Sequence, residues 1–118
     1  MKVKLISCVF IFCAVHWFVM SSSASNVKRE VWVDIEGEAI EDLTSNEKYS
    51  ENPDYVTYLT NLSRENMYGD DYGSKIYTYL IPPQTGDYTF WISGDHNAEL
   101  WIREDENVDN VQRIAYTS

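Results

Sequence analysis

The chain has 118 residues, with 9 Lys and Arg against 19 Asp and Glu, so its formal net charge is −10. A surface this negative repels phosphate backbones and anionic lipid headgroups, which excludes nucleic-acid binding and electrostatic docking to a membrane surface. Cationic and neutral ligands remain as partners.

The first 24 residues are predicted to form a secretory signal peptide. Lys2 and Lys4 precede an apolar run over residues 5–20 (LISCVFIFCAVHWFVM), and small residues follow this run. The run is short for a membrane span, which needs about 20 residues, and we expect cleavage after Ala24. This predicts a secreted, extracellular protein with no membrane insertion after cleavage, and an uncleaved anchor is the alternative.

Cleavage leaves one small domain over residues 25–118 and removes several kinds of chemistry. Cys8 and Cys13 lie in the leader, so the mature chain has no disulfide, no thiol nucleophile and no thiolate zinc site. Seven basic residues remain against 19 acidic ones, which gives a net charge of −12. His96 is the one imidazole left, so most hydrolase constellations are missing and we predict that the protein is not an enzyme.

Short elements are predicted in the first half of the mature chain. Residues 30–35 alternate, with Val31, Val33 and Ile35 on one face, which is typical of a strand. Residues 39–43 predict a helical turn, and the polar residues 44–54 predict a loop. Asn61 begins an Asn-Leu-Ser sequon, which a secreted chain offers for N-glycosylation on a surface loop.

The second half predicts a meander of three strands over residues 74–81 (SKIYTYLI), 88–93 (YTFWIS) and 99–103 (ELWIR). Their alternation points one set of side chains inward: Ile76, Thr78, Leu80, Tyr88, Phe90, Ile92, Leu100 and Ile102. Residues 111–116 predict a last short strand. The chain has no long segment of helical period, so the fold class is mostly β, an antiparallel sandwich or barrel.

These strands carry a recognisable signature. It begins with Tyr72-Gly73 and continues through the motif PPQTGDYTF over residues 82–90 to Asp95 and the motif ELWI over residues 99–102. In order and spacing it resembles the PA14 domain, and residues 29–32 (REVW) and 42–44 (DLT) are similar to the amino-terminal part of that family. The resemblance implies a β-sandwich-like barrel of the kind found in secreted glycosidases and adhesins, whose best-known members bind carbohydrate.

The resemblance also implies a candidate site in the loop after residues 88–93. In the sugar-binding members two consecutive aspartates hold a calcium ion that grips sugar hydroxyls, and the matching positions here are Asp95 and His96. Asn97 and backbone carbonyls offer further oxygen atoms, but an imidazole is a poor calcium ligand, so the affinity for Ca²⁺ is expected to be lower. The implied partner is a glycan or a cell-surface glycoprotein. A plain polar turn at residues 95–97 is the alternative.

Outward-facing aromatic residues on the predicted strands suggest a second binding feature. Tyr77, Tyr79, Trp91 and Trp101 offer flat apolar area on which a sugar ring can stack. Packing against a second layer of the sandwich explains the same pattern. Trp91 and Trp101 are our main candidates for an aromatic platform.

The family's domain normally continues beyond the ELWI strand and its following loop, whereas this chain ends at Ser118. Either the sheet is completed elsewhere, or the chain is a fragment whose C-terminal part of the domain is incomplete. A missing strand exposes an edge that invites pairing with another chain. A structural or protein-interaction module of a larger extracellular enzyme or adhesin, with no sugar binding of its own, is therefore the alternative function.

Overall fold

The computed structural model describes residues 3–8, 27–62, 68–80, 84–94, 96–103 and 108–118, and of residues 3–8 only the backbone. The described elements are six strands and a short helix: β1 (Val3–Cys8), β2 (Val27–Val33), α1 (Ile40–Thr44), β3 (Tyr55–Leu59), β4 (Tyr72–Leu80), β5 (Ala98–Arg103) and β6 (Gln112–Thr117). A 3₁₀ turn at Val108–Asn110 precedes β6. No helix in these ranges is long and apolar enough to cross a membrane.

The six strands form one sheet in the order β3-β2-β4-β1-β5-β6, and each neighbouring pair is antiparallel. This confirms the predicted mostly β, antiparallel class. The predicted strands at 74–81, 99–103 and 111–116 are confirmed as β4, β5 and β6, with small shifts of their ends. The helical turn predicted at 39–43 is α1.

Helix α1 covers one face of β2 and β4. Trp32, Ile35, Ile40 and Leu43 form a buried cluster there, with Tyr49 packed against it. The Trp32 indole Nε1 donates a hydrogen bond to the backbone carbonyl of Lys48 at 2.8 Å, which satisfies the buried indole. At the start of the helix, the Asp42 carboxylate accepts the backbone N–H of Ala39 at 2.9 Å, so the first turn is capped from within.

A second cluster lies on the opposite face of the sheet, because side chains alternate along a strand. It consists of Val27, Leu59 and Ile76, and Leu62 and Ile92 pack against it. With both faces covered, β2 buries consecutive residues, which explains why Arg29, Glu30, Val31 and Trp32 are all buried.

The predicted meander is wrong in its middle strand. Residues 84–94 contain no strand, and the place between β4 and β5 is taken by β1, which pairs antiparallel with both. Ile92 packs inward as predicted, whereas Tyr88 was predicted to point inward and is 39% exposed. Alternation identified a strand-forming segment, but it does not determine which segment pairs with β4.

Two further differences concern the first half of the chain. Strand β3 was not predicted, although Tyr55–Leu59 (YVTYL) is rich in β-branched and aromatic residues. Strand β2 ends at Val33, two residues earlier than predicted, because Asp34 adopts a positive φ of 58° and turns the chain. The N–H of Ile35 then donates to the carbonyl of Asp71 at 2.9 Å.

Candidate functional site

The sheet topology brings several polar turns together along the edge formed by the ends of the strands, as distinct from the outer strands β3 and β6. Val33 at the end of β2 pairs with Tyr72 at the start of β4, and β4 and β5 run in the same direction because both are antiparallel to β1. The residues that precede β3, β4 and β5 therefore lie at the edge where β2 ends. This surface, which we name the acidic edge, consists of residues 34–39, 54, 70–71 and 96–97.

Part of the acidic edge serves the backbone. The Asp54 carboxylate accepts the N–H of Val33 at 3.0 Å, and the Asp54 N–H donates to the carbonyl of Val31 at 2.8 Å. The Lys48 ammonium lies 3.7 Å from the same carboxylate. Asp54 thus joins β2 to β3. Asp71, like Asp34, has a positive φ, here 50°, a conformation that Asp tolerates better than most residues.

Two of the three residues predicted for the calcium and sugar site, His96 and Asn97, are described, and both lie at this edge. Asp95 lies outside the described residues. His96 and Asn97 lie just before β5, where Asn97 is half-buried and the His96 side chain is 51% exposed. His96 Nδ1 lies 3.8 Å from Oε1 of Glu38, whose side chain is 74% exposed. The structure therefore brings a carboxylate from the loop before α1 to the position where the sequence has an imidazole.

Glu38 was missed by sequence reasoning, because it lies far from His96 along the chain and no local motif links the two. Across the part of the chain that the structure describes, no group of three or more His, Cys, Asp or Glu side chains is arranged to hold a metal ion. The contact between Glu38 and His96 is accordingly the geometric core of the candidate site.

The predicted aromatic platform residues have different surroundings. Trp91 is 49% exposed. Trp101 on β5 is half-buried, and its Nε1 donates to the Glu99 carboxylate at 2.9 Å, which also accepts a hydrogen bond from Arg113. Of this pair, Trp91 is the more exposed.

A second aromatic group, which the sequence did not predict, borders the acidic edge. The rings of Tyr55 and Tyr68 stack with centroids 4.9 Å apart, and Tyr68 meets Tyr72 edge-on at 5.9 Å. The Arg29 guanidinium carbon lies 5.0 Å from the centre of the Tyr68 ring. Tyr55 remains 49% exposed beside Asp54. An aromatic surface and a set of carboxylates thus adjoin at one end of the sheet.

The sequon residue Asn61 is exposed and follows the end of β3. Because β3 starts at the acidic edge, Asn61 lies toward the opposite edge of the sheet. A glycan at Asn61 would leave the acidic edge uncovered. Glycosylation itself stays a prediction.

Comparison with known proteins agrees with the strand signature. The PA14 domain model matches residues 41–115. The chain is also 29% identical over 90 residues to N-acetyl-beta-glucosaminyl-glycoprotein 4-beta-N-acetylgalactosaminyltransferase 1 of Mus musculus, a match that covers 76% of this chain and 9% of that relative. The chain thus spans about a tenth of the relative's length. No solved structure shows significant similarity.

Proposed function

The chain belongs to the PA14 domain family, and on this premise we propose that it is a secreted, noncatalytic module that recognises carbohydrate or glycoprotein at the cell surface. PA14 domains often bind carbohydrates and are typical of extracellular proteins. The name of the mouse relative describes a transferase that acts on glycoproteins, and the region shared with it is a small part of that protein. This supports a glycoprotein context for the shared region, and because that region is 9% of the relative, the transfer reaction is not carried over to this chain.

The observation that carries the proposal is the approach of Glu38 to His96 at 3.8 Å. Calcium prefers six to eight oxygen ligands, and the loop at 95–97 offers the Asp95 carboxylate and the Asn97 amide oxygen. Glu38 supplies a second carboxylate beside His96, whose imidazole is a poor calcium ligand. The mature net charge of −12 adds a favourable field for a divalent cation. We propose that Asp95, Glu38 and Asn97 bind calcium, whose remaining coordination positions accept sugar hydroxyls.

Thermal unfolding of the secreted protein with and without millimolar calcium tests the ion site. A ligand that binds only the folded state stabilises it, by about 1.4 kcal/mol at ten times its Kd, so the midpoint should rise with calcium. Asp95→Asn and Glu38→Gln should each abolish most of this rise. Glu51→Gln removes an exposed carboxylate on the turn after α1 and should leave the rise unchanged. An equal calcium-dependent rise of the midpoint in all three variants would contradict the assignment of the site.

Retention on a glycan array in calcium and in chelator tests recognition itself. We expect calcium-dependent retention that the Glu38→Gln variant loses and the Glu51→Gln variant keeps. Full retention in chelator would overturn the calcium-mediated mechanism. A cooperative unfolding transition that ignores calcium, together with no retention on any glycan, would overturn sugar recognition.

The alternative, a structural or protein-interaction module, is favoured by the outer strands of the sheet. Edge strand β3 exposes Tyr55, Val56 and Tyr58, and edge strand β6 exposes Ile114 and Tyr116. Exposed apolar edge strands are templates for pairing with another chain. Polar substitutions of these exposed side chains would weaken binding to a protein partner and leave glycan retention intact, which separates the two functions.

A further inference from the structure

The stacked pair of Tyr55 and Tyr68 is held from the interior of the molecule. Tyr55 pairs with Val31 of β2, so it lies on the same face of the sheet as the buried Arg29, two residues earlier on that strand. The Arg29 guanidinium carbon lies 5.0 Å from the centre of the Tyr68 ring, and the buried Tyr72 meets the same ring edge-on at 5.9 Å. Two buried side chains thus orient Tyr68, and Tyr68 orients Tyr55 by stacking on it at 4.9 Å.

The outer member of this pair is open to solvent. Tyr55 is 49% exposed, whereas Tyr68 is half-buried. Because the two rings are already ordered, a planar group that stacks on Tyr55 binds with little of the entropy cost of fixing a mobile side chain. The structure therefore offers a preorganised aromatic surface at the start of β3.

Carboxylates lie beside both tyrosines along the chain. Asp54 precedes Tyr55, and its side chain is 31% exposed. Asp70 and Asp71 follow Tyr68 by two and three residues, and both are exposed. All three carboxylates belong to the acidic edge. We name the exposed Tyr55 ring together with Asp54, Asp70 and Asp71 the Tyr55 surface.

The groups of the Tyr55 surface fit a guanidinium ion. The face of an aromatic ring attracts a cation, and a planar guanidinium can stack on the ring while its N–H groups bind carboxylates in pairs. An ammonium is a compact, strongly hydrated point charge and gains less from stacking. The protein already contains both kinds of contact, with Arg29 at the Tyr68 ring and the Lys48 ammonium 3.7 Å from the Asp54 carboxylate. The net charge of −10 complements a cationic ligand at longer range.

We propose that the Tyr55 surface is a docking site for an arginine side chain of a partner protein, whose guanidinium stacks on Tyr55 and binds the carboxylates of Asp54 and Asp70. A partner chain is the favoured source of the guanidinium, because free arginine also carries an α-carboxylate, which the acidic edge repels. The inference goes beyond the proposed function, because it assigns a contact to the protein part of a partner and uses neither calcium nor a sugar.

Titration of the full-length protein with short peptides tests this assignment. The probe is the tripeptide Gly-Arg-Gly with both ends blocked, and its matched controls replace the arginine by lysine or by citrulline, which has a similar shape without the charge. Free arginine is a fourth ligand. NMR signals of the Tyr55 and Tyr68 rings report binding, in chelator and at about 0.02 M NaCl, where charges are weakly screened.

The four ligands should differ in affinity. We expect the arginine peptide to shift both ring signals, and the citrulline peptide to bind at least about fivefold more weakly because it lacks the cation. The lysine peptide and free arginine should each bind at least about twofold more weakly than the arginine peptide. Raising NaCl to about 0.5 M should weaken binding of the arginine peptide about threefold, since the carboxylates are exposed to screening.

Variants locate the contact, with the Tyr68 ring as the reporter. Tyr55→Leu removes the aromatic ring and should weaken binding of the arginine peptide about fivefold, whereas Tyr55→Phe keeps the ring and most of the affinity. Tyr58→Leu is the matched control, because Tyr58 lies on the same strand, is 67% exposed and points to the other face of the sheet. Asp70→Asn should weaken binding about twofold. Asp87→Asn, the same change of charge at an exposed residue between β4 and β5, should leave it unchanged.

Three outcomes would overturn the assignment of the Tyr55 surface. Equal binding of the arginine and citrulline peptides would show that the surface does not recognise a cation. Equal effects of Tyr55→Leu and Tyr58→Leu would show that the Tyr55 ring is not the contact. Free arginine that binds as tightly as the blocked peptide would indicate a small-molecule ligand in place of a partner protein.

The same titrations separate this proposal from sugar recognition. A neutral trisaccharide of N-acetylglucosamine that shifts the Tyr55 ring signal, when the arginine peptide does not, would assign the surface to sugar and overturn the proposal. Because chelator is present throughout, a failure of the calcium site of the proposed function affects none of these readouts.

Discussion

At the residue scale, an ion pair within β2 joins Lys28 to Glu30. The Lys28 ammonium lies 2.7 Å from the buried Glu30 carboxylate, which also accepts a hydrogen bond from the Tyr77 hydroxyl at 3.2 Å. The hydrogen bond to Glu30, followed by that with Tyr77, raises the pKa of Lys28 above its ordinary value of 10.5. Folding therefore favours the protonated, charged form of the Lys28 side chain.

The raised pKa of Lys28 fixes the pH dependence of its contribution. A group whose pKa is higher in the folded state stabilises fully below its unfolded pKa, and the contribution is lost as the pH rises through the folded pKa. We expect Lys28→Met to lower the free energy of unfolding by about 1 kcal/mol, equally at pH 7 and pH 9, with a smaller difference above pH 10. Lys48→Met, which removes an exposed ion pair with Asp54, is the control and should change stability less. Urea titrations at each pH measure both, and a Lys28→Met effect that grows with pH would contradict the mechanism.

Also at this scale, the sequence identified Asp95, His96 and Asn97 as a group but could not identify Glu38. The first three are neighbours in one loop, so a local motif contains them. Glu38 reaches His96 only because the end of β2 and the starts of β4 and β5 lie at the acidic edge. Local pattern reasoning finds residues that share a loop, and it needs the strand pairing before it can join residues from separate loops.

At the element scale, the packing of α1 on the sheet depends on the missing side chain of Gly73. A Cβ at this position would lie 2.7 Å from both terminal carbons of Leu43, which is held in the buried cluster with Trp32 and Ile40. Because Leu43 cannot move without disturbing that cluster, Gly73→Ala should destabilise the protein by about 1–3 kcal/mol. Gly86→Ala is the control, since among the described residues beyond its chain neighbours no atom lies within 4 Å of its Cβ position.

Thermal unfolding measures this prediction directly. For a domain of this size, each kcal/mol lowers the midpoint by about 4–8 °C. Gly73→Ala should therefore lower the midpoint clearly while Gly86→Ala leaves it within a degree or two. Adding Leu43→Ala to the Gly73→Ala variant should relieve the clash, but it also removes the buried Leu43 side chain and the stability that its burial provides. Equal midpoints for the two glycine variants would show that α1 adjusts freely against β4.

The strands illustrate which elements a sequence determines. Alternation over β4, β5 and β6 was sufficient to predict them. In β4 and β5 one row of side chains is the more buried, whereas β6 at the outside of the sheet has only exposed and half-buried residues. The short β3 follows a long polar stretch and offers few repeats of the alternating pattern, so it was missed. Residues 88–93 have the alternation of a strand but are not a strand in the structure, where β1 lies between β4 and β5, because partner choice depends on which other segments are present.

At the scale of the whole molecule, the excess of acidic residues opposes folding. The chain extends 41 × 29 × 25 Å, so at an ionic strength of about 0.01 M, where the Debye length is about 30 Å, most of its charges repel one another. The Lys and Arg ion pairs identified among the described residues involve Lys28, Lys48 and Arg113, against 19 acidic residues in the chain. Repulsion in the compact state therefore outweighs these attractions at long range.

Screening by salt should accordingly stabilise the protein. Raising NaCl from about 0.01 M to about 0.5 M shortens the Debye length to a few ångströms, and we expect the unfolding midpoint to rise and then level off. The titration is made in chelator, so that calcium does not contribute. A midpoint that falls with NaCl would mean that ion pairs such as Lys28 with Glu30 outweigh the net repulsion. The rise of the unfolding midpoint with calcium is then measured at this plateau, where general screening is already complete. A rise that persists in high NaCl and disappears in the Glu38→Gln variant comes from an ion bound at the acidic edge.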